Sequence, residues 1–275
     1  MSNRRREPAS NIEWQSWGKL DPLYGVASLE GRNKRGNNPW TNEEFYNYGA
    51  KVWSEYIPHW ERYGVNRQSC VEIGCGAGRM TKPLSTYFQK VHAVDVSTDM
   101  VEYARVQVDS EKVSFHVTNG YVLPMADGSV AAGFSSDVFQ HLEQPAFAEE
   151  YFLELYRVLM ADGSIMIHLP VYSWPHVMRP VFSSLYRIWR AADSFQAKMR
   201  RVLLRRGVGN PFMFGIKYET TELYNFLSRL GFRDIEINFF ENSGDGGFDF
   251  RSYLFARKSI QPEHRGSQRS TTQLS

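Results

Sequence analysis

Between residues 69 and 170, short apolar runs alternate with stretches whose apolar positions recur at helical spacing. The runs are Ser69 to Ile73, Lys90 to Val96, Val113 to Val117, Val130 to Ser135 and Ser164 to Leu169. Helical patterns fill the gaps: one runs through Leu84, one carries Ala104 and Val108, and one carries Phe152, Leu155, Tyr156 and Leu159. Such alternation predicts parallel βαβ units, here with five parallel strands. Upstream, Phe45, Val52, Trp53, Tyr56, Ile57 and Trp60 recur at spacings that suit an amphipathic helix ahead of the core. Downstream, a helical pattern around Leu223 to Leu230 precedes the extended runs Phe232 to Phe240 and Phe250 to Ala256. The turn-rich stretch Asn242 to Gly247 separates those runs, which predicts a terminal antiparallel hairpin. Residues 1 to about 18 and 259 to 275 are polar and lack a sustained apolar period, so both read as tails.

Composition narrows the class. The 275 residues suffice for one α/β domain with an accessory lid, and 42% hydrophobic content supports a large core. No run of about 18 apolar residues suggests a membrane span. Arg4, Arg5 and Arg6 are not followed by the apolar stretch of a secretory signal. Cys70 and Cys75 are the sole cysteines, neither a disulfide framework nor a set of zinc ligands, so a reducing, cytoplasmic setting is expected. The net charge of +2 gives no argument for nucleic acid from the whole chain.

The sharpest chemical signal is Val71-Glu72-Ile73-Gly74-Cys75-Gly76-Ala77-Gly78, an apolar strand running into alternating glycines before a helix. Glycine permits positive φ and removes Cβ, so the backbone can pass close beneath a ligand. Amides at the following helix start suit an electronegative group. The plain alternative is a tight turn with no ligand. Asp95 ends the next apolar strand 23 residues after Glu72, about where a ribose-binding carboxylate stands in dinucleotide-type folds. A capping role is the competing reading, but Ser97 and Thr98 offer better placed oxygens. Arg79 occupies the position where a dinucleotide pattern wants glycine, and no phosphate loop of the GxxxxGK[ST] type occurs. Glu72 would repel phosphates yet attract an ammonium, so a pyrophosphate ligand is disfavoured.

With these residues in place, the stretch from about Ser69 to Pro170 resembles a class I S-adenosylmethionine-dependent methyltransferase of the broad small methyltransferase-domain type. The resemblance implies a Rossmann-like three-layer α/β sandwich. Its sheet would be mostly parallel and seven-stranded, with a terminal antiparallel hairpin and a helical lid insertion at about 172–215. Residues 1–66 would form the tail and lid helices, 67–258 the methyltransferase domain and 259–275 a tail. It implies S-adenosyl-L-methionine as cofactor and S-adenosyl-L-homocysteine as product. Glu72, Gly74, Cys75, Gly76 and Gly78 would hold the methionine part, Asp95 and the adjacent Val96 the ribose side, and Met100 would pack near adenine. Thr118 to Pro124 matches the segment in which an acid commonly meets the adenine amine. Asn119 stands in that acid's place, next to Gly120 and Tyr121, and its carbonyl can accept the same bond. Ser136 follows the fourth strand, where relatives contact cofactor and substrate. Ala161-Asp162 replaces the usual Pro-Gly of the turn before strand five.

Methyl transfer is an in-line displacement in which positioning can supply roughly 7 to 11 kcal/mol, so neither a metal nor a covalent intermediate is required. A base is needed only for a nucleophile that must lose a proton. His141 is the candidate, since an imidazole titrates near neutrality, against the alternative of a structural histidine. Gln140 beside it, and Tyr172, Trp174 and His176 beyond strand five, are candidate acceptor contacts, because open α/β sheets bind ligands at the carboxyl ends of their strands. Tyr24 and Trp40 lie in the upstream region that folds over the cofactor in many relatives, which makes Tyr24 a candidate gate and acceptor contact. His168 reads as a packed strand residue. The segment 179–206 holds eight Lys or Arg and one acid, Asp193, on an apolar stripe. It reads as an amphipathic lid with solvated charges; an anionic small molecule, an anionic membrane surface or RNA are the sharper alternatives. The expected acceptor is a small molecule. An RNA or protein acceptor engaged through 179–206, or a cofactor-binding scaffold without turnover, are the competing readings.

Overall fold

The structure is a computed structural model that describes residues 8–173, 216–241 and 250–259. Three helices open the chain: α1 (Ala9–Leu20), α2 (Pro22–Val26) and α3 (Asn42–Tyr63). The core then alternates β1 (Cys70–Ile73), α4 (Thr81–Tyr87), β2 (Val91–Asp95), α5 (Thr98–Val108), β3 (Val113–Val117), β4 (Val130–Ser135), α6 (Pro145–Val158) and β5 (Leu159–His168). Short strands β6 (Val171–Tyr172) and β7 (Tyr218–Glu219) pair with each other, and α7 (Thr220–Leu230), β8 (Phe232–Glu241) and β9 (Phe250–Lys258) follow.

The seven-stranded sheet has the order β3-β2-β1-β4-β5-β9-β8. The first five of these strands are mutually parallel, and β9 runs antiparallel to both β5 and β8. This is the expected mostly parallel sheet with a terminal hairpin. Every residue of β1 and β4 is buried, as continuous apolar runs require when helices cover both faces. On one face Val71, Ile73 and Ile165 pack with Leu155 of α6 and Leu227 of α7. On the other, Phe134 and Met166 pack with Trp53 and Trp60 of α3 and Leu84 of α4. The long helix α3 begins with a capping box between Thr41 and Glu44 and ends at Gly64, in the left-handed region. Among the described residues no helix is long and apolar enough to cross a membrane.

Two expectations need correction. The tail ends before Ala9, because residues 9 to 20 form α1. Strand five starts at Leu159 rather than Ser164: α6 stops at Val158, a register shift against Val130/Ala132 absorbs the turn, and Asp162 takes φ +64°. Asp and Asn tolerate that conformation better than other non-glycine residues, so Asp162 can serve where the resemblance suggests glycine. Trp174, His176, the basic segment 179–206 and most of the expected insertion lie outside the described residues.

Candidate active site

The glycine turn is pinned to its neighbouring strand. The amides of Gly74 and Cys75 both donate to the carbonyl of Val94, at 2.8 and 3.0 Å. Gly74, Gly76 and Gly78 all have positive φ. Glycine is required at Gly74, where a Cβ would lie 2.2 Å from the Val138 side chain at φ +75°. On the β2 side, Asp95 accepts from the amide of Gly76 through Oδ2 (2.8 Å) and from the amide of Ser97 through Oδ1 (2.9 Å). Ser97, not Asp95, caps α5, its hydroxyl accepting from the Met100 amide. Burial pushes the Asp95 carboxyl upward, against the backbone bonds that favour its charge.

Glu72 sits beneath the turn rather than at the cavity wall. It is buried, accepts a 2.6 Å hydrogen bond from the Thr81 hydroxyl, and burial raises its carboxyl to about 8. Burial thus favours the neutral acid at Glu72 over the charged form.

At the end of β4 the Ser135 hydroxyl donates to the Ile73 carbonyl, which ties β4 to the turn. Asp137 follows with φ +63° and gathers several groups. Arg79 Nη2 lies 2.7 Å from its Oδ2, and Arg251 Nη1 lies 3.2 Å from both oxygens. The Ser136 hydroxyl donates to Oδ2 at 3.1 Å, and the Asp137 amide donates to His168 Nδ1 at 3.2 Å. Burial alone would raise this carboxyl, but Arg251 and Arg79 outweigh it and hold it well below the usual range. Burial lowers the His168 imidazole, consistent with a ring nitrogen that accepts a bond.

A cavity of about 260 Å³ spans the carboxyl ends of these strands. Because β1 lies between β2 and β4, the Asp95 side and the Asp137 side flank the glycine turn at the point where strand order reverses. Of the residues expected at the site, Gly74, Gly76, Asp95, Val96, Met100, Ser136, Gln140 and His141 line the cavity. Cys75 and Gly78 shape the turn without lining it. Asn119, Gly120 and Tyr121 stand just outside: the Asn119 carbonyl accepts from Asn11 Nδ2 at 3.0 Å, and its side chain accepts from the Tyr121 amide. Tyr24 packs on Trp17, and Tyr172 lies on β6; neither reaches the cavity wall. Trp40 acts indirectly, its indole N–H holding the carbonyl of Ala27, which does line the cavity.

His141 ends a short 3-10 turn, Phe139–His141. Gln140 Nε2 lies 3.1 Å from its Nε2, and Trp14 packs edge-on at 5.3 Å between ring centroids. With Gln140 donating, the histidine carries its proton on Nδ1, which is buried and has no hydrogen-bond partner among the described residues. Burial lowers this imidazole to about 4, so it is neutral at pH 7.

Sequence reasoning missed Ser10, Asn11 and Trp14 of α1, and it missed Tyr48, Arg79 and Arg251, all on the cavity wall; Asp137 lay within the candidate segment Ser135 to Leu142 but was not singled out. Arg79 was visible only as an obstacle to a dinucleotide pattern. Its place beside a glycine turn at a strand end could have flagged it.

Residues 71–167 match the family model described as a methyltransferase domain. Over 108 residues the chain is 32% identical to the malonyl-[acyl-carrier protein] O-methyltransferase of Hahella chejuensis, a match spanning 37% of this chain and 38% of that protein. Among solved structures, the putative methyltransferase bound to the Trm112 activator of Haloferax volcanii is similar in fold. It has a TM-score of 0.56 at 14% identity, covering 90% of this chain and 98% of that one. Magnesium protoporphyrin IX methyltransferase from Synechocystis, solved with bound S-adenosylhomocysteine, matches with a TM-score of 0.56 at 15% identity over 90% of this chain and 98% of that one. The glycine turn, the acid at the end of β2 and the strand order thus agree with the family match, and residues 71–167 carry a methyltransferase domain.

Proposed function

We propose that the protein transfers a methyl group from S-adenosylmethionine to a small-molecule acceptor by in-line displacement. The observation that carries this reading is the single cavity bounded by both Asp95 and the polar group around Asp137, with the glycine turn between them. The donor set fits the cofactor. Asp95, fixed by two amides, presents a carboxylate to ribose hydroxyls; Val96 and Met100 offer apolar wall to adenine; Gly74, Gly76 and Ser136 leave room for the amino-acid arm. When bound, the cofactor supplies an electrophilic methyl group on a sulfonium.

The bound cofactor would give its methyl group to a lone pair of the acceptor, the electron pair of the carbon–sulfur bond staying with sulfur. The chain's task is then alignment and exclusion of water. His141 lines the cavity as a neutral imidazole whose Nε2 is held by Gln140. An acceptor that must lose a proton would need the Nε2 lone pair freed from Gln140. The relatives' names support an acceptor group of small size, since one is named for magnesium protoporphyrin IX and another for a malonyl group carried on acyl-carrier protein. Radiolabelled cofactor incubated with a metabolite extract tests the proposal. Label should pass to an extract component with the wild type and not with Asp95→Ala; label that stays on the cofactor in both overturns turnover and leaves a scaffold.

A further inference from the structure

Apart from Asp95, the charged side chains on the cavity wall are Arg79, Arg251 and Asp137, so two cations meet one carboxylate on the β4 side. Asp137 does not exhaust them. Arg79 is 3% exposed, yet its Nε is buried without a partner among the described residues. Among those residues Arg251 engages Asp137 through Nη1 alone. Arg79 is buried, whereas the Arg251 side chain is 19% exposed, so Arg251 is the guanidinium whose remaining donors can meet an acceptor in the cavity.

The sheet decides on which half of the cavity this happens. β9 is antiparallel to β5, and the pairing of His168 with Tyr253 places Arg251, at the start of β9, just beyond the carboxyl end of β5. In strand order β9 stands four positions from β2, which carries Asp95. Arg251 therefore faces the cavity from the side opposite the ribose-binding acid. Tyr48 of α3 lines the same region, its ring 5.5 Å from the Arg79 guanidinium.

We infer that the acceptor bears an oxyanion, a carboxylate or a phosphate ester, which Arg251 docks with the help of Arg79. The inference rests on the methyl-transfer reading and specifies the acceptor for that site. Asp137 then has a defined role: it holds both guanidiniums in place while leaving an excess of positive charge toward the cavity. Bidentate geometry makes arginine the side chain suited to such groups.

The test uses the full chain saturated with S-adenosylhomocysteine and titrated by calorimetry with benzoate, phenyl phosphate and benzyl alcohol. At least one anion should bind about tenfold or more tightly than the neutral alcohol, the scale of a lost charge-assisted contact. The preferred anion separates carboxylate from phosphate acceptors. Arg251→Gln should abolish the preference while leaving affinity for S-adenosylhomocysteine unchanged, and Arg251→Lys should restore part of it. The inference is overturned if neither anion outbinds benzyl alcohol in the wild type, a result that needs no variant to fold. It is equally overturned if the preference survives in Arg251→Gln, or if that variant loses the homocysteine product itself, which would assign the arginine to the cofactor's own carboxylate. Wild-type protein that fails to bind S-adenosylhomocysteine instead defeats the proposed function.

Discussion

The amide of Gly76 donates a 2.8 Å hydrogen bond to Oδ2 of Asp95, joining the glycine turn after β1 to the acid that ends β2. The same carboxylate accepts from Ser97 at the start of α5, so one side chain fixes turn, strand end and helix start. Asp95→Asn should weaken cofactor binding by about 1–3 kcal/mol, the usual cost of losing charge-assisted bonds. Ser97→Ala is the control. It removes the cap on the Met100 amide and should lower stability by about 1 kcal/mol without changing cofactor affinity. Calorimetry and urea unfolding on both variants separate the roles; equal affinity for Asp95→Asn and wild type would remove Asp95 from the ribose site.

Gly74 and Gly128 both have positive φ, but only Gly74 is crowded. An added Cβ at Gly74 meets Val138 at 2.2 Å, whereas at Gly128 nothing lies within 4 Å. Gly128→Ala should therefore cost only the backbone strain of about 1 kcal/mol. Gly74→Ala should cost several times as much, because the Val138 side chain must move and carry the cavity wall with it. Similar urea midpoints for the two variants would contradict this.

Strands β1 and β4 were legible because they are buried on both faces and so appear as unbroken apolar runs, β4 keeping its expected limits, Val130–Ser135; β3, at the sheet edge and only partly buried, also matches its expected limits, Val113–Val117. The turn and Asp95 were legible because local chemistry marks them. Helix α1 was not. Its apolar Ile12 and Leu20 are 48% and 65% exposed, while Ser10 and Asn11 are buried. Besides Trp14 and Trp17, it docks through small and polar contacts: Gly18 against Ser97, Asn11 to the Asn119 carbonyl, and the Ser10 amide to Glu143. An apolar period cannot reveal a helix held in that way. The Arg251–Asp137 pair was invisible for another reason. Its members lie 114 positions apart, and only the register of the terminal hairpin brings them together.

His141 predicts an acid-side loss of stability. Its folded pKa, about 4, lies below the unfolded value near 6.5 because burial disfavours the cation. Between these values the unfolded chain binds more protons, so stability present above about pH 6.5 is lost as pH falls toward 4. His141→Gln should flatten that dependence by about 1–3 kcal/mol when urea unfolding at pH 7.5 and pH 5 is compared. His92, also lowered to about 4 by burial, will leave part of the slope in the variant. An unchanged slope would mean that His141 is already solvated in the folded protein.

Because α1 forms part of the cavity wall, the helix should govern ligand retention more than folding. Trp14 packs on His141 at the cavity, whereas the attachment of α1 to α5 runs through Gly18 and Ser97, a full turn away. Removing the indole exposes bound ligand to water without cutting that attachment. Trp14→Ala should weaken S-adenosylhomocysteine binding by about tenfold, mainly through faster dissociation, the scale expected for one apolar wall of a small-molecule site. The unfolding free energy of the ligand-free protein should fall by about 1 kcal/mol or less, as for a partly exposed side chain. Stopped-flow displacement and urea unfolding check the two halves. If stability collapses while the dissociation rate holds, α1 is a structural brace and the cavity is closed by something else.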